Sequence, residues 1–280
     1  MRAAAVGPDW VCSAAMSTNQ PLTPAGGRPS RHIEVGILTK GKPTLGMVLS
    51  NLLMQDLQDL RILIVDTSDS PVINREDVLF ALKLSQDRHI RCDYQRSRDK
   101  QRNFSVGRMA LLEQLTGPHL CFMDDDVVLP SSSMARMAEQ AFAIGSYGYI
   151  APTCVNAGAS RGFLSGRPHY SPGGIFYQDE LLRRILLEYY ATTVDVLDAR
   201  QAPQKVWELA FLTELFPALD RSCQVQRDNV SYHLDYHRGV RWDLMEQKLL
   251  WASRRKVEEL IEKYAGRRVR LSDPTEIAPH

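Results

Sequence analysis

Three consecutive aspartates, Asp124-Asp125-Asp126, follow an almost wholly apolar run, His119 to Met123 (HLCFM). Adjacent carboxylates repel one another, so a cation is the economical reason for their juxtaposition. In extended backbone, residues i and i+2 face the same way, which projects Asp124 and Asp126 together, about 7 Å apart by strand rise, and turns Asp125 elsewhere. At that separation the pair is poorly placed to chelate a bare ion. It can hold Mg²⁺ or Mn²⁺ through one direct contact, a water and the oxygens of a bound diphosphate. The competing reading is a solvated turn ahead of a helix capped by Ser131 to Ser133.

Other residues carry related chemistry. Arg91, Arg96, Arg98, Lys100, Arg102 and Arg108 form a basic stretch ahead of the aspartates. Most such charges line a solvated face, but phosphate oxygens brought to the aspartates need cations beyond a metal ion, and Arg102 and Arg108 are the candidates. His233 and His237 stand four apart, with Asp235 between them as a partner able to orient either ring.

The elements that must position these groups alternate. From His32 onward, short β-rich runs and helical segments follow one another, the pattern of a mostly parallel sheet with crossover helices. Strands are expected at His32 to Thr39, Arg61 to Asp66, His89 to Gln95, His119 to Met123, Tyr147 to Val155 and Gln224 to Val230. Helices are expected from about Thr44 to Gln58, Asn74 to Asp87, Phe104 to Leu115, Ser131 to Ile144, Gln178 to Tyr190, Lys205 to Leu219 and Trp242 to Tyr264, the last with Leu250, Val257, Ile261 and Tyr264 on one stripe. Asp66 and the aspartate triplet both fall at carboxyl ends of strands, where open parallel sheets bind ligands. Asn156 to Gly174, with five glycines, reads as a long loop near a functional face.

Composition narrows the classes. With 44% hydrophobic and 24% charged residues in 280, a disordered chain, a collagen and a coiled coil are excluded. A formal net charge of +1 gives no global reason to bind nucleic acid. The five cysteines (Cys12, Cys92, Cys121, Cys154, Cys223) lack the close spacing of a zinc or dithiol site and suit a reducing, cytoplasmic setting. No run reaches the roughly 18 apolar residues of a membrane span. Residues 1–30 read as a disordered leader, with Met16 an alternative start.

These landmarks, in this order, resemble the large family-two kind of glycosyltransferase with a GT-A fold. FMDDDVVLP is similar to its DxD motif, with galactofuranosyl transferases, which carry an MDDD run, the nearest flavour. VGILTKGKP resembles the first strand and its nucleotide-contacting turn, which points to Thr39 and Lys40. ILIVDTSDS resembles the VDDGSTD segment, setting Asp66 against uracil or ribose, and RNFSVGRMALLE resembles the GxxxARN helix, with Arg108 on its arginine and Met109 where Asn is usual. The resemblance implies a Rossmann-like α/β fold, a mostly parallel central sheet with flanking helices and a C-terminal helical extension. It divides the chain into a nucleotide-sugar half (31–155), an acceptor half (156–240) and a C-terminal helix and tail (241–280).

The second half resembles the family more loosely. SPGGIFYQDELL is similar to its Gly-Gly strand and following helix. Residues 207–233 resemble its EDxDL helix, next strand and closing histidine, with 25 positions from Glu208 to His233. By this resemblance Asp124, Asp126 and His233 hold Mn²⁺ or Mg²⁺, and Asp124 and Asp125 face the nucleotide. The family's catalytic Asp is Leu209 here, and a leucine takes no proton. Glu208 or Glu214, or else Asp179 or Glu180 from the neighbouring helix, is left to serve as base.

The expected activity is metal-assisted, inverting transfer of a sugar from a nucleoside diphosphate donor, UDP first, to an acceptor hydroxyl or amine not identified by the sequence. Alternatives are a sugar-phosphate nucleotidyltransferase and a non-catalytic sugar-nucleotide-binding relative. Residues 241–270 carry nine basic and five acidic side chains with Trp242 and Trp251. That helix either packs its stripe on the domain or makes peripheral contact with an anionic membrane.

Overall fold

The three strands β1 (Ile33–Thr39), β2 (Leu60–Asp66) and β4 (His119–Asp124) are almost entirely buried in the computed structural model. The model describes residues 32–97, 104–156, 171–194, 202–234 and 244–271. Their near-continuous apolar runs suit strands covered on both faces. With β3 (Arg91–Arg96) they form a parallel set, in which Thr39 pairs with Asp66 and Leu38 with Asp124. The carboxyl ends of three strands therefore meet along one edge.

Four more strands complete one sheet: β5 (Val127–Val128), β6 (Tyr149–Asn156), β7 (Ile175–Tyr177) and β8 (Cys223–His233), in the order β3-β2-β1-β4-β7-β6-β8-β5. The short β7 runs antiparallel to both β4 and β6, while β6 and β8 are parallel to each other. The sheet is thus mostly parallel and draws strands from both halves of the chain. Helices α1 (Leu45–Leu53), α2 (Glu76–Asp87) and α4 (Ser133–Ile144) cover one side, with the core built on Ile37, Val48, Ile62 and Met137. Helices α3 (Phe104–Gln114), α5 (Glu180–Val194), α6 (Ala202–Ala218) and α7 (Leu244–Ala265) cover the other, around Leu111, Phe122, Tyr189 and Phe211.

Two differences from the sequence reading bear on the site. The strand expected at residues 224–230 extends to His233, the last three residues pairing with β6 and β5. The two-residue β5 has no sequence signature, since two positions cannot display an alternation, yet its pairing of Val127 with His233 brings β8 to the aspartates. In α7, Val257, Leu260 and Ile261 are buried in the core. Arg254 pairs with Glu258, Arg255 with Glu259, Lys263 with Glu188 and Arg267 with Asp220. Its stripe is spent on the protein's own interior, which favours the packing reading; Leu250, Trp242 and Trp251 have side chains outside the described residues. Among the described residues no helix is long and apolar enough to cross a membrane.

Candidate metal and nucleotide site

Asp124 closes β4, and the chain turns through Asp125 and Asp126 before β5. The turn corrects the expectation of two carboxylates about 7 Å apart. Strand geometry stops at Asp124, and the bend folds Asp126 back. Each of Asp124, Asp126 and His233 offers a ligand atom, all within 4.8 Å of one another. The β5–β8 pairing and a hydrogen bond from the Leu234 N–H to the Asp126 carbonyl (2.8 Å) fix His233 there, with Nε2 3.5 Å from Asp126 Oδ1. Asp126 is fully buried, and no hydrogen bond reaches its Oδ1. A buried carboxylate oxygen left open beside an imidazole and a second carboxylate fits a divalent ion.

The turn after β1 approaches from the other side. Thr39 Oγ1 donates to Asp125 Oδ2 (2.6 Å), accepts from the Gly41 N–H (2.9 Å), and Thr44 Oγ1 donates to the Asp125 carbonyl (2.7 Å). The β1 turn thus holds Asp125 by both its carboxylate and its carbonyl. Burial pushes the Asp125 carboxyl above the usual carboxylate range, as do the charges of Asp126 and Asp124. The Thr39 hydrogen bond and the Lys42 ammonium pull the other way. Gly41 has φ +90°, a conformation that side-chain-bearing residues rarely adopt, and the reversal presents Lys42 to the aspartates. Lys42 pairs with Asp126 Oδ2, whereas Lys40 is exposed. The family resemblance set Lys40 against the nucleotide and did not single out Lys42.

Asp66 is buried and accepts from the Ser68 N–H (2.8 Å), the Val72 N–H (2.9 Å) and the Tyr94 hydroxyl (2.7 Å). Burial pushes this carboxyl up, but hydrogen bonds from Ser68, Val72 and Tyr94 outweigh it and hold the group below the usual carboxylate range. Its oxygens shape the loop at residues 67–72.

Arg108 enters from α3. It is 2% exposed, its guanidinium 4.3 Å from the centre of Phe122 and 4.8 Å from Phe104. Nε and Nη2 donate to the two oxygens of Glu208 (2.8 and 3.0 Å), Nη2 lies 3.9 Å from Asp124 Oδ1, and Tyr190 donates to Glu208 Oε1. Burial opposes the charge on Arg108, but the neighbouring charge of Glu208, with that of Asp124, keeps it firmly protonated. This pairing across 100 residues has no local signal in the sequence.

The remaining candidate bases lie elsewhere. Glu214 acts electrostatically on Tyr149, at the opposite end of β6 from Asn156, about 23 Å away at ordinary strand rise, while Asn156 pairs with His233. Asp179 pairs with Arg221 (2.5 Å) and accepts from the Leu182 N–H (2.8 Å), just past Tyr177, which pairs with the first residue of β4; Glu180 is exposed beside it. Arg102, Asp235 and His237 lie outside the described residues.

The family model "Glycosyl transferase family 2" matches residues 35–193. The succinoglycan biosynthesis protein ExoM of Rhizobium meliloti (strain 1021) is 25% identical over 149 residues, covering 49% of this chain and 44% of that protein; the match thus spans less than half of the relative. Among solved structures, S. aureus TarS 1-349 aligns with a TM-score of 0.55 at 13% identity, covering 88% of this chain and 68% of TarS 1-349. GalNAc-T7 with UDP, GalNAc and Mn²⁺ aligns at 0.53 and 10% identity, covering 85% and 55%. The mannosyltransferase PcManGT of Pyrobaculum calidifontis with GDP-Man and Mn²⁺ aligns at 0.50 and 15% identity, covering 90% and 70%. At these identities the structural matches establish a shared GT-A architecture.

Proposed function

The chain belongs to glycosyl transferase family 2, and from that premise we propose that it moves a sugar from a UDP-linked donor to an acceptor with help from Mn²⁺ or Mg²⁺ held by Asp124, Asp126 and His233. Membership favours sugar transfer over nucleotidyl transfer, which acid pairs on an α/β sheet also allowed. The observation that carries the metal reading is the meeting of these three side chains within 4.8 Å at the carboxyl edge of the sheet. A bound divalent ion neutralises diphosphate charge as the glycosidic bond breaks.

The chain's own residues supply the rest. Thr39 holds Asp125, which we assign to the nucleotide together with the β1 turn, and Asp66 keeps the loop at residues 67–72 in shape. We assign Glu208 to holding Arg108 beside Asp124 rather than to taking the acceptor's proton, because Arg108 and Tyr190 already engage its oxygens. Attack from the face opposite the diphosphate inverts the anomeric carbon. UDP is placed first because TarS has been solved with UDP and with UDP-GlcNAc; PcManGT, solved with GDP-Man, makes GDP the comparison arm.

The test is thermal unfolding with UDP, GDP and dTDP, each with and without Mn²⁺. Mass action raises the melting point for the ligand that the native state prefers. UDP with Mn²⁺ is expected to stabilise the wild type and not Asp126→Ala. Equal stabilisation of both proteins would remove the metal site, and a larger shift with GDP would replace the donor.

A further inference from the structure

Asp126 divides its two oxygens. Oδ1 faces His233 without a hydrogen bond, and Oδ2 binds the Lys42 ammonium. That ammonium is delivered by a fixed platform. The Arg75 guanidinium donates to the carbonyls of Gly41 (3.2 Å), Lys42 (2.6 Å) and Pro43 (2.9 Å), and pairs with Asp77. The turn is pinned while the Lys42 side chain, 35% exposed, reaches in from the solvent side. Three adjacent acids in a buried turn need positive charge whether or not an ion is bound, and Lys42 contributes it directly on a residue assigned to the ion.

We infer that Lys42 is a stand-in cation for the divalent ion: it holds Asp126 when the ion is away, and its ammonium transfers to the donor's diphosphate when ion and nucleotide enter. The inference rests on the metal reading of Asp124, Asp126 and His233. A monovalent and a divalent cation sharing one carboxylate a few ångströms apart repel strongly in so buried a setting, so the two compete for Asp126. The diphosphate relieves the competition. It brings fresh oxygens, and a lysine is suited to them because its flexible stem carries a compact charge without fixed geometry. One side chain thereby weakens binding of the bare ion and strengthens binding of the ion–nucleotide pair, which couples the two ligands.

Lys42→Met keeps the length of the stem and removes the charge. In titration calorimetry without nucleotide, Lys42→Met is expected to bind Mn²⁺ about tenfold more tightly than the wild type. At saturating Mn²⁺ the same variant is expected to bind UDP about tenfold more weakly. Lys42→Arg should keep the wild-type Mn²⁺ affinity, and Lys83→Met, an exposed charge on α2, should alter neither constant. Circular dichroism confirms folding in each case. Mn²⁺ bound by Lys42→Met no more tightly than by the wild type, or UDP affinity unchanged in that variant, would overturn the exchange. Failure of both proteins to bind Mn²⁺ would instead remove the metal reading itself, an outcome distinct from an unaltered constant in a protein that binds.

Discussion

A buried arginine whose two neighbouring nitrogens grip one carboxylate is costly to break from either side. Removing Glu208 leaves the Arg108 charge among Phe104, Phe122 and Tyr190, and Glu208→Ala should lose about 3–5 kcal/mol in urea unfolding, with Glu208→Gln losing less. A loss under 1 kcal/mol in the alanine variant would show that Arg108 finds another partner. Asp66 offers a pH test. Its folded-state pKa lies below that of the unfolded chain, so its stabilisation is fully present above the ordinary carboxylate range and is lost as pH falls through the folded value. Asp66→Asn should therefore flatten the fall in urea midpoint below about pH 4; an unchanged slope would assign that fall to other acids. The single residues were unequally legible. Asp124 and Asp126 stand together in the string after an apolar run, whereas Lys42 is joined to Asp126 only in the folded chain.

At the scale of elements, the site depends on how closely α3 approaches the sheet. A Cβ placed on Gly107 would lie 2.3 Å from Leu38 Cδ1 and 2.8 Å from Cδ2. The glycine thus lets the helix carrying Arg108 settle onto β1, beside β4. Gly107→Ala should destabilise by about 1–3 kcal/mol through overpacking, read as a lower melting temperature; an unchanged one would mean that Leu38 swings aside at no cost. Element types and most boundaries were legible because helical and strand periods are local properties of the chain. The short strands were not. β5 is only two residues long, and β7 stood out only through the family resemblance of SPGGIF, so their positions come from pairing partners rather than from their own pattern.

For the whole molecule, α7 is part of the core. Val257, Leu260 and Ile261 join a cluster with Leu186, Tyr189 and Leu215, and the Arg254 guanidinium donates to the Leu271 carbonyl. Ending the chain at residue 243 should expose that surface and yield aggregated protein, checked by size-exclusion chromatography. A monodisperse, stable product would return the helix to the surface and revive its contact with membranes. By itself, the sequence determined the alternation of strands and helices, the acids at the strand ends and the family, since these depend on neighbours a few positions apart. The family resemblance had joined His233 to Asp124 and Asp126; only the tertiary structure decided how β5 and β8 bring His233 to Asp126, that Glu208 is taken by Arg108, and that Lys42 meets Asp126. Those relations are set by which strands pair and which faces pack, and pairing between distant segments leaves no mark on the residues in between.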